Sequence, residues 1–219
     1  MDKIKIIFLS LFVGCFFTAF AEGVAGRDSS DPDSLNTTIQ DFRLPATSGI
    51  DVSLSDYPDA LGFIIVFTSN NCPFAKLYPE RLNELNALYK PKGIPLIAIR
   101  STDVSLMPDD AFDKMVKLVK KQDLHFPYLA DDGQEVAKNF HAEKTPHAFV
   151  IWKENDKWVV KYSGAIDDNG AEPQKVQHSY VKEALDDLLS GKKVRTPVTK
   201  SVGCAIKFRN SVKIQDKGQ

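Results

Sequence analysis

The sequence is poor in cysteine and carries almost no net charge. Its 219 residues contain three cysteines, and 28 basic side chains nearly balance 29 acidic ones, so the formal net charge is −1. This balance argues against a nucleic-acid partner, because nucleic-acid-binding domains concentrate positive charge. Twelve glycines and twelve prolines follow no repeat period, which excludes collagen-like and solenoid architectures. With 43% hydrophobic and 26% charged residues, the composition is that of one folded globular domain.

A single long apolar run stands near the N-terminus. After a short charged start, residues 6–20 form an apolar stretch of about fifteen residues, whereas a helix needs roughly twenty to cross a bilayer. The small residues Ala19 and Ala21 stand where a signal peptidase recognises the chain, so the sequence predicts a signal peptide, residues 1–21, cleaved after Ala21. We expect an exported protein, periplasmic or secreted, without membrane attachment after cleavage. An uncleaved anchor and lipidation at Cys15 are the alternatives.

Cleavage would leave two cysteines, Cys72 and Cys204. In an oxidising compartment such a pair forms either a structural disulfide or a redox pair in which at least one thiol reacts. Residues 22–37 are polar without periodicity and are interpreted as a flexible tether. The residues around Cys72 and Cys204 must decide between a structural disulfide and a redox pair.

Strand and helix signals alternate along the remainder of the chain. A continuous apolar run at residues 61–67 is typical of a strand buried on both faces, and apolar residues at helical spacing follow Cys72. The expected elements are a hairpin at residues 41–54, strands at residues 61–67, 94–99, 126–129, 148–152 and 158–162, and helices at residues 74–88, 110–121, 133–140 and 180–189. In the second helix, Phe112, Met115 and Val119 are expected to face the core. This order predicts an α/β fold with an N-terminal β-hairpin extension and an irregular C-terminal tail.

Cys72 lies where the first buried strand meets the first long predicted helix. A thiol in the first turn of a helix faces unpaired backbone N–H groups and the positive end of the helix dipole, and both lower its pKa. Asn71 and Pro73 beside it are typical of a strand-to-helix corner, which favours a reactive thiol over a buried structural one. Lys76, four residues on, is a candidate cation near the sulfur, although an exposed lysine on a helix is most often only solvated.

Several motifs resemble known redox folds. The segment after the central strand, residues 67–73, the segment at residues 145–150, and the final hairpin and helix together resemble the thioredoxin fold over residues 38–191. Four shorter motifs are similar to the redoxin group often called peroxiredoxin-like, related to the AhpC/TSA family: Asp41-Phe42-x-Leu44-Pro45, Asn71-Cys72-Pro73-Phe74, Ala165-Ile166-Asp167-Asp168-Asn169 and Val202-Gly203-Cys204-x-Ile206-Lys207-Phe208. The resemblance implies a thioredoxin-like fold with a central mixed β-sheet flanked by helices, and residues 192–219 as a tail that carries Cys204.

The resemblance also implies roles for individual residues. In thioredoxin-fold proteins a cis proline packs opposite the cysteine, and this position matches Pro146, with the backbone of Thr145 free to pair with substrate. An ordinary trans proline is the alternative. His147 follows directly and is a weak candidate base, because on a strand its side chain is expected to point away from the site. Asp167 belongs to a family motif and is a candidate for the rim of the site.

Some residues differ from the motifs of thioredoxins and peroxiredoxins, and these differences limit the activities that the resemblance implies. Ala75 stands where a C-x-x-C motif has its second cysteine, and Val66 stands where thioredoxins place a buried acid. In the family comparison, the peroxidatic cysteine of peroxiredoxins also aligns with Ala75, and its threonine and proline align with Cys72 and Thr68. The resemblance therefore does not imply fast peroxide reduction.

The sequence predicts a thiol-dependent oxidoreductase in which Cys72 attacks a disulfide or oxidised thiol of a partner and Cys204 resolves the mixed disulfide. A structural Cys72–Cys204 disulfide that fastens the tail is the competing interpretation, and the absence of any bond between the two cysteines is a third. A thiol peroxidase with an antioxidant role and a redox-silent binding module are the alternative functions. The expected partners are protein thiols or disulfides, small thiols or peroxides. No cofactor and no metal site are expected, since the four histidines lack ligand spacing.

Overall fold

A six-stranded mixed sheet forms the centre of the computed structural model, which describes residues 34–209. Its strands are β1 (Thr38–Ile39), β4 (Gly62–Phe67), β5 (Leu96–Arg100), β6 (Tyr128–Ala130), β8 (His147–Glu154) and β9 (Lys157–Gly164), in the order β1-β9-β8-β4-β5-β6. β4, β5 and β6 are parallel, whereas β8 is antiparallel to both β4 and β9. Two short pairs lie outside this sheet: β2 (Arg43–Leu44) with β3 (Val52–Ser53), and β7 (Lys144–Thr145) with β10 (Cys204–Ala205). The predicted α/β architecture with an N-terminal hairpin is confirmed.

Helices cover both faces of the sheet. Within the described residues these are α1 (Pro79–Tyr89), α2 (Phe112–Gln122), α3 (Glu135–Phe140) and α4 (Tyr180–Leu189). α1, α2 and α4 pack on one face and α3 on the other. Of the three α2 side chains expected to face the core, Met115 and Val119 do, whereas Phe112, the first residue of the helix, is 38% exposed.

Strand β4 separates the two hydrophobic cores. Its side chains alternate, so that Ile64 and Val66 lie in the core under α1, while Phe63, Ile65 and Phe67 lie in the core under α3. All five are fully buried, which explains the continuous apolar run in the sequence. The end of β4 is therefore held at the centre of the molecule, and from there the chain continues to Cys72.

The first long helix begins later than its apolar pattern predicts. Residues Ala75–Leu77 form a short 3₁₀ helix, and α1 starts at Pro79. Proline lacks the N–H that a helix interior needs, and its ring collides with the preceding turn, so it is tolerated only in the first turn. Cys72 therefore lies in the loop before α1 and not in its first turn.

The C-terminal tail follows an ordered path across the molecule. A β-bridge joins Ser163 to Val198, β10 pairs with β7, and Ile206 is buried in the core under α3. Between residues 192 and 209, regular structure is limited to β10, as expected of an irregular segment. Within this irregular tail, Cys204 nevertheless lies on a paired strand.

The predicted signal peptide, its cleavage after Ala21 and residues 22–33 of the predicted tether lie outside the described residues. Between residues 34 and 209, the structure contains no helix with the length and apolar character needed to cross a membrane.

Replacing Ile65 by alanine is expected to lower the free energy of unfolding by about 2 to 5 kcal/mol, because this fully buried side chain would leave a cavity in the core under α3. The matched control is Ile50→Ala, since Ile50 is 74% exposed and its loss should change stability by less than about 0.5 kcal/mol. Urea denaturation measures both values. Equal losses in the two variants would contradict the placement of Ile65.

Candidate active site

Strand register brings Cys72 to the residues that precede β8. β4 pairs antiparallel with β8, and Phe67 lies opposite His147. The chain that leaves β4 toward Cys72 therefore passes beside the residues that enter β8. Cys72 is 2% exposed, and its thiol donates to the Thr145 carbonyl oxygen, with 2.8 Å between sulfur and oxygen. The Thr145-Pro146 peptide bond is cis, as the resemblance implies.

The second cysteine reaches the same place from the C-terminal tail. In the pairing of β10 with β7, Cys204 lies opposite Thr145, whose hydroxyl donates to the Cys204 carbonyl oxygen at 3.4 Å. Both cysteines are free thiols, and they lie close enough that each changes the pKa of the other. Four of the predicted site residues, Cys72, Thr145, Pro146 and Cys204, thus lie together. The resemblance implies that the backbone of Thr145 is free to pair with substrate, but in the structure β10 occupies this edge.

The two thiols differ in acidity because their surroundings differ. Burial raises the pKa of Cys72, but hydrogen bonds from the Cys204 and Thr145 side chains and from the backbone N–H groups of Ala75 and Cys204 outweigh it, so this pKa lies below its ordinary value. Burial, the interaction with the Cys72 side chain and the negative charges of Cys72 and Asp110 together raise the pKa of Cys204 to about 11. Cys72 is therefore the thiol that ionises first, and Cys204 stays protonated beside it.

The hydrogen-bond donors to Cys72 are not those that the sequence predicts. Because α1 begins only at Pro79, the expected stabilisation by its first turn is absent from this site. The local donor is the N–H of Ala75, while the N–H of Lys76 donates to the carbonyl oxygen of Cys72 at 3.1 Å. The Lys76 side chain is exposed. The loop backbone and the C-terminal strand thus determine the acidity of Cys72.

A buried carboxylate holds the loop that leads to Cys72. Asp110 is fully buried and accepts hydrogen bonds from the Ser69 hydroxyl at 2.8 Å and the Asn70 N–H at 2.7 Å. The Asn71 N–H donates to the Ser69 hydroxyl at 3.2 Å, and the Tyr128 hydroxyl donates to the Asn70 side-chain oxygen at 3.0 Å. Burial raises the pKa of Asp110. Nothing in the sequence distinguishes this residue, because acidic side chains are common near the first turn of a helix.

Asp167 lies at the rim of a cavity beside the cysteines. Its carboxylate pairs with Arg81 at 2.6 Å and accepts a hydrogen bond from the Tyr78 hydroxyl at 3.0 Å. The cavity has a volume of about 440 Å³, and Pro146 forms part of its wall. Three exposed apolar side chains also line it: Phe74, Leu77 and Val202. Asp167 thus shapes a largely apolar surface next to the thiols.

The side chain of His147 points to the face of the sheet that α3 covers, away from α1. Its Nε2 shares a hydrogen bond with the Ser163 hydroxyl at 3.1 Å, and its ring packs on Phe149 with 4.3 Å between centroids. Phe149 belongs to the core under α3, away from α1. Burial lowers the pKa of His147 to about 4. In the part of the chain that the structure describes, no three His, Cys, Asp or Glu side chains are grouped to hold a metal ion.

The sequence matches the AhpC/TSA family over residues 35–164, a segment that includes Cys72 and Thr145. No curated protein matches it. Cys204 lies beyond the matched segment.

Solved structures resemble most of the chain. A hypothetical protein from Sinorhizobium meliloti 1021 is 32% identical with a TM-score of 0.73, over 80% of this chain and 95% of its own. An uncharacterized conserved protein from Geobacillus kaustophilus is 33% identical with a TM-score of 0.73, over 81% of this chain and 93% of its own. A protein from Neisseria meningitidis described as a "putative thioredoxin" is 19% identical with a TM-score of 0.54, over 74% of this chain and 95% of its own. The thioredoxin-like fold is thus confirmed.

The variants Cys204→Ser and Cys204→Ala are expected to differ in the pKa of Cys72. Serine keeps a hydroxyl that can donate to the Cys72 thiolate, whereas alanine removes this donor and should raise the pKa of Cys72. A hydrogen bond to a charged group corresponds to about one pKa unit, so alkylation of Cys72 by iodoacetamide near neutral pH should be about tenfold slower in Cys204→Ala. Identical pH profiles of alkylation in the two variants would show that Cys204 does not stabilise the thiolate.

The buried His147 is expected to make stability depend on pH. Its pKa of about 4 in the folded protein lies below the value of 6.5 for the free side chain, so the unfolded chain binds the proton more readily and stability falls as the pH drops from 6.5 toward 4. From pH 7 to pH 5 this group should cost about 2 kcal/mol of unfolding free energy. Urea denaturation at both pH values should show that His147→Gln removes this part of the loss, while His125→Gln, which replaces an exposed histidine, retains it. The same loss in His147→Gln as in the parent would contradict a buried neutral His147.

Proposed function

This chain belongs to the AhpC/TSA family, and from its site we propose that it is an exported thiol–disulfide oxidoreductase with Cys72 as the nucleophile and Cys204 as the resolving thiol. The observation that carries the proposal is the placement of two free thiols at the same residue, Thr145, with the pKa of Cys72 lowered and that of Cys204 raised. Thiol–disulfide exchange uses such a difference, because the thiolate is the attacking species. Export rests on the N-terminal sequence alone.

The exchange proceeds in two balanced steps. The Cys72 thiolate attacks one sulfur of a partner disulfide, so that a Cys72–partner bond forms, the partner S–S bond breaks, and the other partner sulfur leaves as a thiolate that takes up a proton. Cys204 then loses its proton and attacks the Cys72 sulfur, which releases the second partner sulfur in the same way. The partner disulfide is reduced to two thiols, and Cys72 and Cys204 are oxidised to a disulfide. The reverse sequence oxidises a partner dithiol.

The surroundings of Cys204 favour this order of steps. The thiolate charge of Cys72 and the hydrogen bond between the two side chains help to raise the pKa of Cys204. Once Cys72 is bonded to the partner, this charge is gone and the pKa of Cys204 falls toward its ordinary value. Cys204 therefore becomes a better nucleophile when a mixed disulfide is present for it to attack.

The apolar wall of the cavity supports a polypeptide partner. Phe74, Leu77 and Val202 are 44%, 43% and 61% exposed, and they line the cavity together with Pro146. Exposed apolar side chains gathered around a reactive group are typical of surfaces that contact other proteins. Protein thiols or disulfides are therefore the partners that this surface fits best.

Equilibration of the mature protein in glutathione redox buffers is expected to form a Cys72–Cys204 disulfide with a midpoint potential above about −300 mV, the range of redox-active disulfides, so that it opens as the potential falls below this midpoint. Non-reducing peptide mapping measures the linkage at each potential. Cys72→Ser and Cys204→Ser serve as controls, since neither can form this bond.

Three other outcomes would contradict the proposal. A bond that resists reduction at every potential would identify a structural disulfide, and the absence of any bond would remove the resolving role of Cys204. Peroxide turnover that is lost in Cys72→Ser, without exchange of disulfides, would identify a thiol peroxidase.

A further inference from the structure

The C-terminal strap, defined as residues 197–209, is anchored on both sides of β10. On the upstream side, the Thr199 N–H donates to the Ser163 carbonyl oxygen at 3.0 Å. On the downstream side, Ile206 is buried in the core, and its N–H donates to the Glu143 carbonyl oxygen at 2.8 Å. β10 lies between these anchors and pairs with β7, so that Cys204 lies opposite Thr145.

Further contacts reinforce the downstream anchor. The buried side chain of Gln134 donates to the Lys207 carbonyl oxygen at 2.8 Å and accepts from the Arg209 N–H at 2.7 Å. The Arg209 guanidinium pairs with Asp103 at 3.3 Å. The two residues of β10 are less buried than these anchors, since Ala205 is exposed and Cys204 is only half-buried. The middle of the strap is therefore the part that can separate from the protein by local opening.

Gly203 brings β10 into direct contact with the backbone of Thr145. A Cβ added at Gly203 would overlap the Thr145 carbonyl carbon and oxygen and lie 3.1 Å from the Pro146 nitrogen. These are backbone atoms, which cannot give way as a flexible side chain would. The same Thr145 oxygen accepts the hydrogen bond from Cys72, so the strand lies directly beside the nucleophile.

We propose that the strap is a gate that holds its own substrate-like strand at the site, and that a cysteine-bearing polypeptide segment reaches Cys72 by replacing β10 at Thr145. This inference rests on the proposed function and specifies the partner and its entry. Cys72 is 2% exposed with the strap in place, although a nucleophile must be reached by its substrate. An incoming extended segment can form the backbone hydrogen bonds that β10 gives up, as in strand addition to a sheet edge.

The contact of Gly203 also predicts the sequence of the partner. A residue in the position of Gly203 meets the Thr145 carbonyl, so a segment that replaces β10 carries glycine directly before its cysteine. Attack by the Cys72 thiolate on the disulfide of that cysteine forms the mixed disulfide and releases the other partner sulfur as a thiol. The site thus selects an extended Gly-Cys segment.

The test measures how fast Cys72 forms a mixed disulfide with a peptide. The probe is the disulfide-linked dimer of the peptide Val-Gly-Cys-Ala-Ile-Lys, and the background is Cys204→Ser, in which the strap is retained and cannot react. Peptide mapping localises the product at Cys72. Adding Gly203→Ala should displace β10 and raise the rate about tenfold. The matched control is Gly133→Ala, whose Cβ would meet only the Glu135 Cγ at 3.8 Å and should leave the rate unchanged.

Two further measurements keep the test decisive. If Gly203→Ala lowers the melting temperature strongly, Gln134→Ala replaces it, because this variant releases the downstream end of the strap without touching Cys72. A probe peptide with alanine in place of glycine should react more slowly with the opened protein. Equal rates with the strap closed and displaced would overturn the gate, and equal rates for the two peptides would overturn the selection of a Gly-Cys segment. Failure of Cys72 to react with any disulfide, including oxidised glutathione, would instead overturn the proposed function.

Discussion

The antiparallel pairing of β4 with β8 is the constraint on which the site depends. β4 is buried on both faces, and its alternating side chains fill two separate cores. A shift of one residue would exchange these side chains between the cores, so the register that sets Phe67 opposite His147 is strongly specified. This register places Cys72 against Thr145 and Pro146. The geometry of the site is therefore determined by the packing of apolar side chains that take no part in its chemistry.

Cys72 and Cys204 carry the same chemical group, but their positions in the fold give the two thiols different pKa values and therefore different roles. Burial alone would raise the pKa of both Cys72 and Cys204. Several donors converge on Cys72 and reverse this effect, whereas Cys204 has an ionised neighbour and the carboxylate of Asp110 nearby, which add to it. A thiolate and a protonated thiol can therefore exist side by side. β10 supplies Cys204 and also occupies the backbone edge beside Cys72. The same segment therefore affects both the resolution of the mixed disulfide and the access of a partner to Cys72.

The buried acid near the thiols comes from an unexpected element. Val66 on β4 has no ionisable group, and the carboxylate is supplied by Asp110, from the segment before α2. The cost of burying a carboxylate is offset only in part by its hydrogen bonds with Ser69 and the backbone of Asn70, since its pKa remains raised. These bonds tie the loop before Cys72 to a second part of the chain. The carboxylate thus combines a structural contact with an electrostatic effect on Cys204.

Local patterns in the sequence determined the order of strands and helices, the buried strand before Cys72 and the bounds of α4, because alternation and helical spacing are properties of neighbouring residues. The late start of α1 was also encoded locally, by Pro79. Family resemblance supplied the cis bond at Pro146, which spacing alone does not predict. The contact of Cys204 with Cys72 and the role of Asp110 were decided only by the tertiary structure. Both depend on long-range packing of the tail and of the loop before α2 against the sheet, which no local pattern records.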